Sequence, residues 1–417
     1  MNPFAPLKGF TPPQWRAFAA AYLGWLLDAF DYFIVVMVID RIAADFHTKI
    51  SAVSYALFLT LAFRPVGALL FGVIADKFGR RPSMMASILL FTAVELASGF
   101  APSLQVFLVL RAVFGIGMGG EWGVGASLCM ETVPAESRGV VSGILQQGYP
   151  AGNLLAALAA WALLPVIGWR GMFIVGALPA ILVVFIRFGV HESPAWIARD
   201  KAAKANPGGK VGEFMAVVRE KWPLFIFMIV LMAAFNCFSH GTQDLYPKGF
   251  LGQQRGLPQS TISKITIINS LGAIAGGLVF GSLSQVMGRR RAIASAAFLA
   301  LPLIPLWVGS QSILGLAAGG FLIQFAVQGA WGAVPAHLNE LSPAAVRGTL
   351  PGLVYQLGNL GASYLGTFQA KLAESRGGDY AFALGWVIAA VAVVLGTLAL
   401  LGPEARTAEL APAAHQA

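Results

Sequence analysis

Charge is the scarcest property of this sequence. Only 11% of its 417 residues are Asp, Glu, Lys or Arg, whereas 57% are hydrophobic. A soluble domain has about a quarter of its residues charged. A chain of the present composition would expose large apolar patches to water, which excludes an ordinary soluble enzyme. Its length fits about twelve helices of roughly 20 apolar residues, the number that crosses a bilayer. The composition therefore predicts an all-α, multi-pass membrane protein.

Reactive and ligand-binding patterns are also missing. The two cysteines, Cys129 and Cys237, lie in apolar runs without a CxxC pair and are expected to pack as small hydrophobes. No GxSxG, GxxxxGK[ST] or HExxH motif occurs, and the five histidines have no metal-ligand spacing. We therefore expect no enzyme, no cofactor and no metal, and a membrane enzyme is a remote alternative. Without a nucleotide site, uphill transport would need an ion gradient.

Twelve apolar runs are separated by short polar connections and one long hydrophilic loop. The net charge of +9 comes from bases scattered between these runs, which favours juxtamembrane positions over a nucleic-acid surface. The loop at 191–222 divides the chain into an N-terminal six-helix bundle, 1–190, and a C-terminal six-helix bundle, 223–417. The predicted spans are 17–40, 52–75, 83–101, 104–130, 140–166, 170–190, 223–247, 260–286, 292–309, 312–338, 349–370 and 380–401.

The basic residues orient the predicted spans. If both termini are cytoplasmic, 18 of the 28 Lys and Arg residues lie on the cytoplasmic side and 8 on the other side. This asymmetry follows the positive-inside rule. The first apolar run has no convincing cleavage site, so it is expected to remain as the first span. We expect a bacterial inner-membrane protein with both termini in the cytoplasm.

The two halves repeat each other at an offset of 209 residues. The identities at this offset include fourteen that cluster at the same loops of each half. Examples are Gly72 with Gly281, Arg80 with Arg289, and Glu131 with Glu340. Because each half has an even number of spans, both halves have the same orientation. This is the arrangement of a rocking transporter with parallel repeats.

The loop after span 2 carries a recognisable motif. The run from Gly72 to Arg81, GVIADKFGRR, resembles the loop 2–3 signature of the major facilitator superfamily, and 281–290 is its degraded copy. The run from Arg111 to Gly120 and the turn PAESRG at 134–139 are similar to the same family's span 4 and its end. The resemblance implies a twelve-helix fold in two pseudo-symmetric bundles and a charged latch on the cytoplasmic side. The latch residues would be Asp76, Arg80, Arg81, Glu131, Arg138, Glu340 and Arg347.

The positions of the latch residues in the chain predict their partners. Asp76 is expected to accept from a helix N-terminus or to pair with a base such as Arg138. Glu131 and Glu340 end their spans beside Arg138 and Arg347, which favours gate pairs over substrate contacts. The alternative is a set of solvated charges that only determines topology.

Charged residues inside the predicted spans are candidate functional groups because each is costly in the membrane. Asp28 and Asp31 share one face of span 1 and are candidates for proton binding, or else structural ion partners. Arg64 in span 2 is a candidate for an anionic substrate or a counter-ion for these acids. Arg111 and Glu121 in span 4 are further proton-coupling candidates. Structural pairing is the alternative for Arg111, and a structural or surface role is expected for Glu95.

Span 7 ends in an unusually polar run, Asn236-Cys-Phe-Ser-His240-Gly-Thr-Gln243-Asp244. Asn236, His240 and Gln243 fall on one helical face, and Asp244 is placed to orient the imidazole of His240. The alternative is a satisfied core histidine. His240 is equivalent to Asp31 at the 209 offset, so both are expected near a central cavity.

This run is similar to the span-7 signature of the sialate:proton symporter family, in its Jen-type lactate and pyruvate permease branch. Lys248 stands where that signature normally has threonine. The family resemblance extends to Arg64 and to the span-11 amides. It implies a small carboxylate bound by Arg64, Asn236, His240, Gln243, Gln356 and Asn359, with Gln146 and Gln147 as weaker candidates.

Together these patterns predict a monomeric proton-coupled symporter that imports a small monocarboxylate such as lactate or pyruvate by alternating access. The first alternative is symport of sialic acid or another larger organic anion. A drug or metabolite exporter and a non-transporting sensor are alternatives of a different class.

Overall fold

The computed structural model describes residues 5–48, 50–205, 216–406, 408 and 410, and within these ranges the chain forms helices and no strand. The centre of the predicted loop, 206–215, lies outside the described residues, as do residues 411–417 at the chain end. Apolar side chains dominate each long helix, as the composition requires for a chain whose exterior faces lipid.

The first half contains seven helices within the described residues, followed by a connecting helix. Their bounds are α1 Pro12–Asp45, α2 Ile50–Phe78, α3 Arg80–Gly99, α4 Leu104–Thr132, α5 Arg138–Gln146, α6 Gly148–Val175, α7 Pro179–Gly189 and the connecting α8 Pro194–Ala205.

The second half begins with α9 and continues through wider helical turns at Tyr246–Gln254. Its helices are α9 Trp222–Gln243, α10 Gln259–Met287, α11 Arg289–Gly309, α12 Ile313–Trp331, α13 Val334–Leu341, α14 Leu350–Ala362, α15 Leu365–Glu374 and α16 Tyr380–Leu401.

These helices make twelve crossings, as predicted. Ten stretches of the described chain are long and apolar enough to span a membrane. One of them, Ala135–Gly189, has 55 residues and holds two crossings, which meet at a kink where Gly168 has a φ of +65°. The eleventh crossing is not among the ten because it is divided into α14 and α15, of 13 and 10 residues. Hydropathy predicted this crossing as one span because a helix break leaves the apolar pattern unchanged.

Equivalent turns in the two halves support the repeat. Gly79 joins α2 to α3 with a φ of +112°, and Gly288 joins α10 to α11 with a φ of +93°. Only glycine adopts this backbone region without strain. Glu192 accepts the main-chain N–H groups of Arg80 and Arg81, while Glu404 accepts that of Arg290. The same local design therefore starts the third helix of each bundle.

The two halves meet mainly at one end of the molecule, the end where α1 begins, which we call the terminal side. The helix pairs that pack across the halves include α5 with α10 and α2 with α14. Glycines permit this close approach, since a Cβ at Gly143 would lie 2.6 Å from the carbonyl oxygen of Gly277, and one at Gly72 would lie 2.5 Å from the Cα of Thr349. We call these contacts the glycine seam. The predicted division into 1–190, 191–222 and 223–417 stays a prediction.

Candidate functional site

A cavity of about 280 Å³ lies between the two halves, near the middle of the helices. Its wall combines α1, α2, α5 and α6 of the first half with α9, α10, α12 and α14 of the second. Of the six residues predicted to bind substrate, five line it: Arg64, Asn236, His240, Gln243 and Asn359. The cavity extends from the middle of the helices away from the terminal side.

Arg64 is the charged residue that the first half contributes to the cavity wall. Its side chain is 2% exposed, and its Nη2 lies 3.6 Å from Oδ2 of the fully buried Asp28. The Trp25 ring centroid is 6.0 Å from the guanidinium carbon. Gly119 of α4 lies against the main chain of Arg64, where a Cβ would come within 2.0 Å of the Arg64 carbonyl oxygen. Close packing of α2 on α4 therefore fixes the guanidinium at the cavity.

Two further carboxyl groups are sealed behind this wall. Glu121 and Asp31 are both 0% exposed, and their carboxylate oxygens have no hydrogen-bond partner among the described residues. Gly24 gives room to Glu121, since a Cβ there would lie 2.0 Å from its Oε1. The structure therefore places Asp31 behind the cavity, although its repeat equivalent His240 lies in the wall. Burial of unpartnered carboxyl groups is costly unless they are protonated.

Arg111 lies outside the cavity wall and forms a structural pair. Its Nη2 is 2.7 Å from Oε2 of Glu95 and 2.8 Å from Oγ of Ser98. The guanidinium carbon lies 4.3 Å from the ring centroid of Phe114. Glu95 is fully buried, so the surface role considered for it is wrong. The geometry favours the pairing alternative for Arg111 over direct contact with cavity contents.

The opposite wall is built from the polar end of α9. His240 Nδ1 lies 3.3 Å from Oδ2 of Asp244, as its spacing predicted. Asn359 of α14 is within hydrogen-bonding reach of the imidazole. Gln243 donates to Gln324 at 3.0 Å. The imidazole is thus held between an acid and an amide at the cavity surface.

Two predicted amides lie elsewhere. Gln356 is 1% exposed and does not line the cavity, and its amide makes no hydrogen bond to the described residues. Gln147 reaches across the seam, where a Cβ on Gly277 would meet its Nε2 at 2.0 Å. Gln146, in contrast, does line the cavity. Successive side chains of a helix point in directions about 100° apart, so a shift of one residue decides which face a side chain occupies.

The sequence reasoning missed an aromatic floor at the terminal end of the cavity. Tyr355 of the second half stacks on Trp122 of the first half at 4.7 Å between ring centroids. It also contacts Trp331 at 5.7 Å and Trp25 at 6.4 Å. These rings close the cavity toward the terminal side. The signal for these rings in the sequence was the internal repeat, in which Trp122 corresponds to Trp331.

Below the floor, charged pairs cross between the halves. Arg347 Nη1 lies 3.6 Å from Oε1 of Glu131, and Arg138 Nη1 lies 4.0 Å from Oε1 of Glu340. Each acid also pairs within its own half, Glu131 with Arg80 at 3.0 Å and Glu340 with Arg289 at 2.9 Å. Across the halves, each glutamate therefore pairs with the arginine that follows the equivalent glutamate of the other repeat.

Asp76 caps a helix of the other half. Its carboxylate accepts the main-chain N–H groups of Gly348 at 2.8 Å and Thr349 at 3.0 Å, and the Thr349 hydroxyl at 2.7 Å. These groups begin α14, where helix geometry favours an anion. Asp76 also pairs with Arg80 at 2.9 Å and Arg199 at 3.7 Å. The helix-terminus expectation for Asp76 fits this geometry, and its pairing with Arg138 does not occur.

Arg81 departs from the predicted latch. Its Nη2 donates to the main-chain carbonyl of Arg187, at the end of α7, and not to the second half. The neighbouring Glu192 is held by the N–H groups of Arg80, Arg81 and Ser193. Burial raises the pKa of the Glu192 carboxyl against these hydrogen bonds, which lower it. Arg81 therefore lies on the outer face of the first half.

Sequence comparisons identify relatives over almost the whole chain. The model for the Major Facilitator Superfamily matches residues 21–247, and that for sugar (and other) transporters matches 217–404. The sialic acid transporter NanX of Escherichia coli K12 is 32% identical over 404 residues, with 95% of each chain covered. A carboxylic acid transporter protein homolog of Saccharomyces cerevisiae is 30% identical over 397 residues. That alignment covers 90% of this chain and 64% of the yeast protein.

A solved structure has the same architecture. The proton:xylose symporter XylE superposes with a TM-score of 0.71 at 18% identity, covering 94% of this chain and 96% of the other. This similarity shows that the chain has the fold of that structure. The family match and the relatives are transporters, so the chain is not an enzyme. This chain is a multi-pass membrane protein that belongs to the major facilitator superfamily of transporters.

Proposed function

We propose that this protein is a proton-coupled symporter that imports a small monocarboxylate, such as lactate or pyruvate. The observation that carries the proposal is Arg64, a buried guanidinium in the cavity wall whose ion pair with Asp28 is long, at 3.6 Å. A carboxylate substrate matches the fork of a guanidinium. Both relatives described above are named for organic acids, which supports this substrate class.

The His240 wall completes the proposed site. His240 and Asn359 face the cavity from the second half, across from Arg64. A small acid bound between the walls would contact both halves, so its binding would favour their closure around it. With termini in the cytoplasm of a bacterial cell, the cavity opens to the outside, and the observed arrangement is the state that receives substrate.

Proton coupling is proposed from the balance of buried charge. Apart from the charged pairs on the terminal side, the first half seals four carboxyl groups and two guanidinium groups, all at most 2% exposed: Asp28, Asp31, Glu95, Glu121, Arg64 and Arg111. If all were ionised, their net charge would be −2 in a region of low polarity. Uncompensated charge there is costly, and protons would neutralise it. Asp28, Asp31 and Glu121, whose carboxyl oxygens lack hydrogen-bond partners among the described residues, are the proposed proton carriers.

In the proposed transport cycle, Arg64 exchanges Asp28 for the substrate carboxylate as its partner. A proton on Asp28 weakens its hold on Arg64, and the guanidinium becomes available to the substrate carboxylate. With the charges neutralised, the halves rock, the aromatic floor and glycine seam open, and substrate and proton leave on the terminal side. The higher cytoplasmic pH would favour proton release.

A second candidate substrate is a larger, hydroxylated acid such as sialic acid. Eight amide side chains line the cavity: Gln146, Asn153, Asn236, Gln243, Asn269, Gln324, Gln328 and Asn359. Amides donate to and accept from hydroxyl groups, and lactate has too few oxygen atoms to engage all eight. The similarity to a sialic acid transporter favours the same candidate.

Counterflow into proteoliposomes distinguishes these substrates. Vesicles preloaded with unlabelled lactate, pyruvate or sialate are diluted into the corresponding labelled acid without a pH gradient. We expect lactate and pyruvate to exchange, and the Arg64→Ala and His240→Ala variants to lose exchange while inserting normally. Exchange of sialate alone would replace the first candidate by the second. Equal exchange by both variants would overturn the site.

A further inference from the structure

A groove outside the transport pathway lies on the outer face of the first half, between the start of α3 and the end of α7. Its volume is about 410 Å³, and Arg81, Arg187 and Glu192 line its terminal end. Because the wall includes the membrane-spanning part of α3, the groove faces lipid. The groove and the central cavity have no lining residue in common.

The terminal end of the groove has an excess of positive charge. Arg81 and Arg187 form no ion pair within the described part of the chain. The Arg81 guanidinium is anchored by the bond from Nη2 to the Arg187 carbonyl, and its Nε is buried, so Nη1 is the nitrogen left for an anion. The nearby Glu192 carboxylate is occupied by main-chain N–H groups at 2.8 to 3.1 Å. An anion would therefore be attracted to the two guanidinium groups and would not meet an unpaired acid.

The rest of the groove is apolar. Met85 and Leu89 follow Arg81 at intervals of four residues, so all three lie along one stripe of α3. Leu89 is 50% exposed. A cationic end at the membrane boundary thus continues into an apolar channel toward the bilayer centre. This sequence of chemistries matches a phosphate group followed by an acyl chain.

We propose that this groove binds an anionic phospholipid. Its phosphate contacts Arg81 and Arg187, and one acyl chain lies along Met85 and Leu89. Basic pockets of transmembrane helices on the cytoplasmic side are suited to such head groups. A bound lipid joins the start of α3 to the end of α7, next to Arg80, which pairs with Glu131 and Asp76. It thereby stabilises the state closed on the terminal side.

Native mass spectrometry of the purified full chain with defined lipids tests the site. The probes are phosphatidylglycerol and phosphatidylcholine of equal acyl length. We expect the wild type to bind phosphatidylglycerol preferentially, and the double variant Arg81→Gln/Arg187→Gln to bind it roughly thirtyfold more weakly, as expected for two lost basic contacts. The matched control Arg41→Gln/Lys264→Gln removes two exposed bases at the other end and keeps the preference.

Two results would overturn the proposal. One is equal binding of both lipids by the wild type, and the other is a preference in the double variant equal to that of the control. If the double variant does not fold, the single variant Arg187→Gln tests the lipid site. This variant should fold, because the Arg187 side chain makes no hydrogen bond to the described residues. That single variant is expected to weaken phosphatidylglycerol binding severalfold, and unchanged binding would contradict the site.

Discussion

At the scale of single residues, the two repeats have diverged in charge. Arg64 lines the cavity in the first half, and its repeat equivalent at the 209 offset is Ala273, which lines it in the second. Glu121 likewise corresponds to Ala330, and Arg111 to Gly320. Away from the terminal side, the first half therefore concentrates the buried charges, while the second half supplies six of the eight cavity amides and His240. We infer a division of labour in which the first half handles protons and the second half shapes the substrate site.

Arg64→Lys tests the carboxylate site with the charge retained. Lysine provides a point charge without the planar fork, and it leaves Asp28 in a changed geometry. We expect substrate affinity to fall about thirtyfold or more, as for a disrupted buried charge pair. The measurement is half-saturation of counterflow, with Arg41→Lys, an exposed arginine at the opposite end, as control. Affinity equal to the control would contradict a role for Arg64 in binding.

Glu121→Gln and Asp31→Asn test two of the three proposed proton carriers. Each amide imitates a protonated carboxyl group, so the helices remain packed but the proton is no longer released. We expect at least one variant to keep counterflow and to lose accumulation driven by a pH gradient. The exposed Glu374→Gln serves as control. If both variants accumulate substrate as the control does, neither Glu121 nor Asp31 carries the coupled proton.

Charged residues were found from the sequence because each stands out in an apolar span. The aromatic floor was not, since Trp122 or Tyr355 has the same apolar signal whether it faces lipid or a cavity. Gln356 was misplaced because the resemblance gave its helix but not the direction of its side chain. Side-chain direction depends on the rotation of each helix, which packing determines.

At the scale of elements, the glycine seam controls how closely the halves approach. Gly143 and Gly352 are equivalent at the 209-residue offset, but their packing partners are apparent only in three dimensions. Gly143 lies against α10, and Gly352 lies against Gly123 of α4. The exchanged pairs of Glu131 and Glu340 were missed for the same reason. An internal repeat shows which residues correspond and leaves open which residues touch.

Gly143→Ala tests the seam. Its Cβ would lie 2.6 Å from the Gly277 carbonyl oxygen, a main-chain atom that cannot move aside easily. We expect the closed seam to lose about 1–3 kcal/mol, the usual cost of overpacking, and the population open on the terminal side to rise. The measurement is labelling of a single cysteine at Ser142 in each background.

Gly366→Ala is the control, because a Cβ at Gly366 meets no atom within 4 Å. Its labelling rate should equal that of the parent protein. Equal labelling in the Gly143→Ala background would show that the seam does not limit opening.

At the scale of the whole molecule, twelve crossings and their two-fold repeat were predicted from hydropathy and the 209-residue offset. These properties depend on composition and period, which are visible in one sequence. The conformational state was not predictable, because it depends on which end of the two bundles is in contact. The described cross-half hydrogen bonds, such as Ser127 to Arg347 and Gln285 to Ala135, lie on the terminal side. The molecule is therefore closed there, with its cavity directed to the opposite side.

Gradient-driven uptake of labelled lactate into proteoliposomes tests the central claim most directly. An alkaline interior should drive accumulation above the external concentration, and collapse of the pH gradient by a protonophore should abolish it. Arg64→Ala vesicles should remain at background under both conditions. Accumulation that is the same with and without the pH gradient would contradict the account.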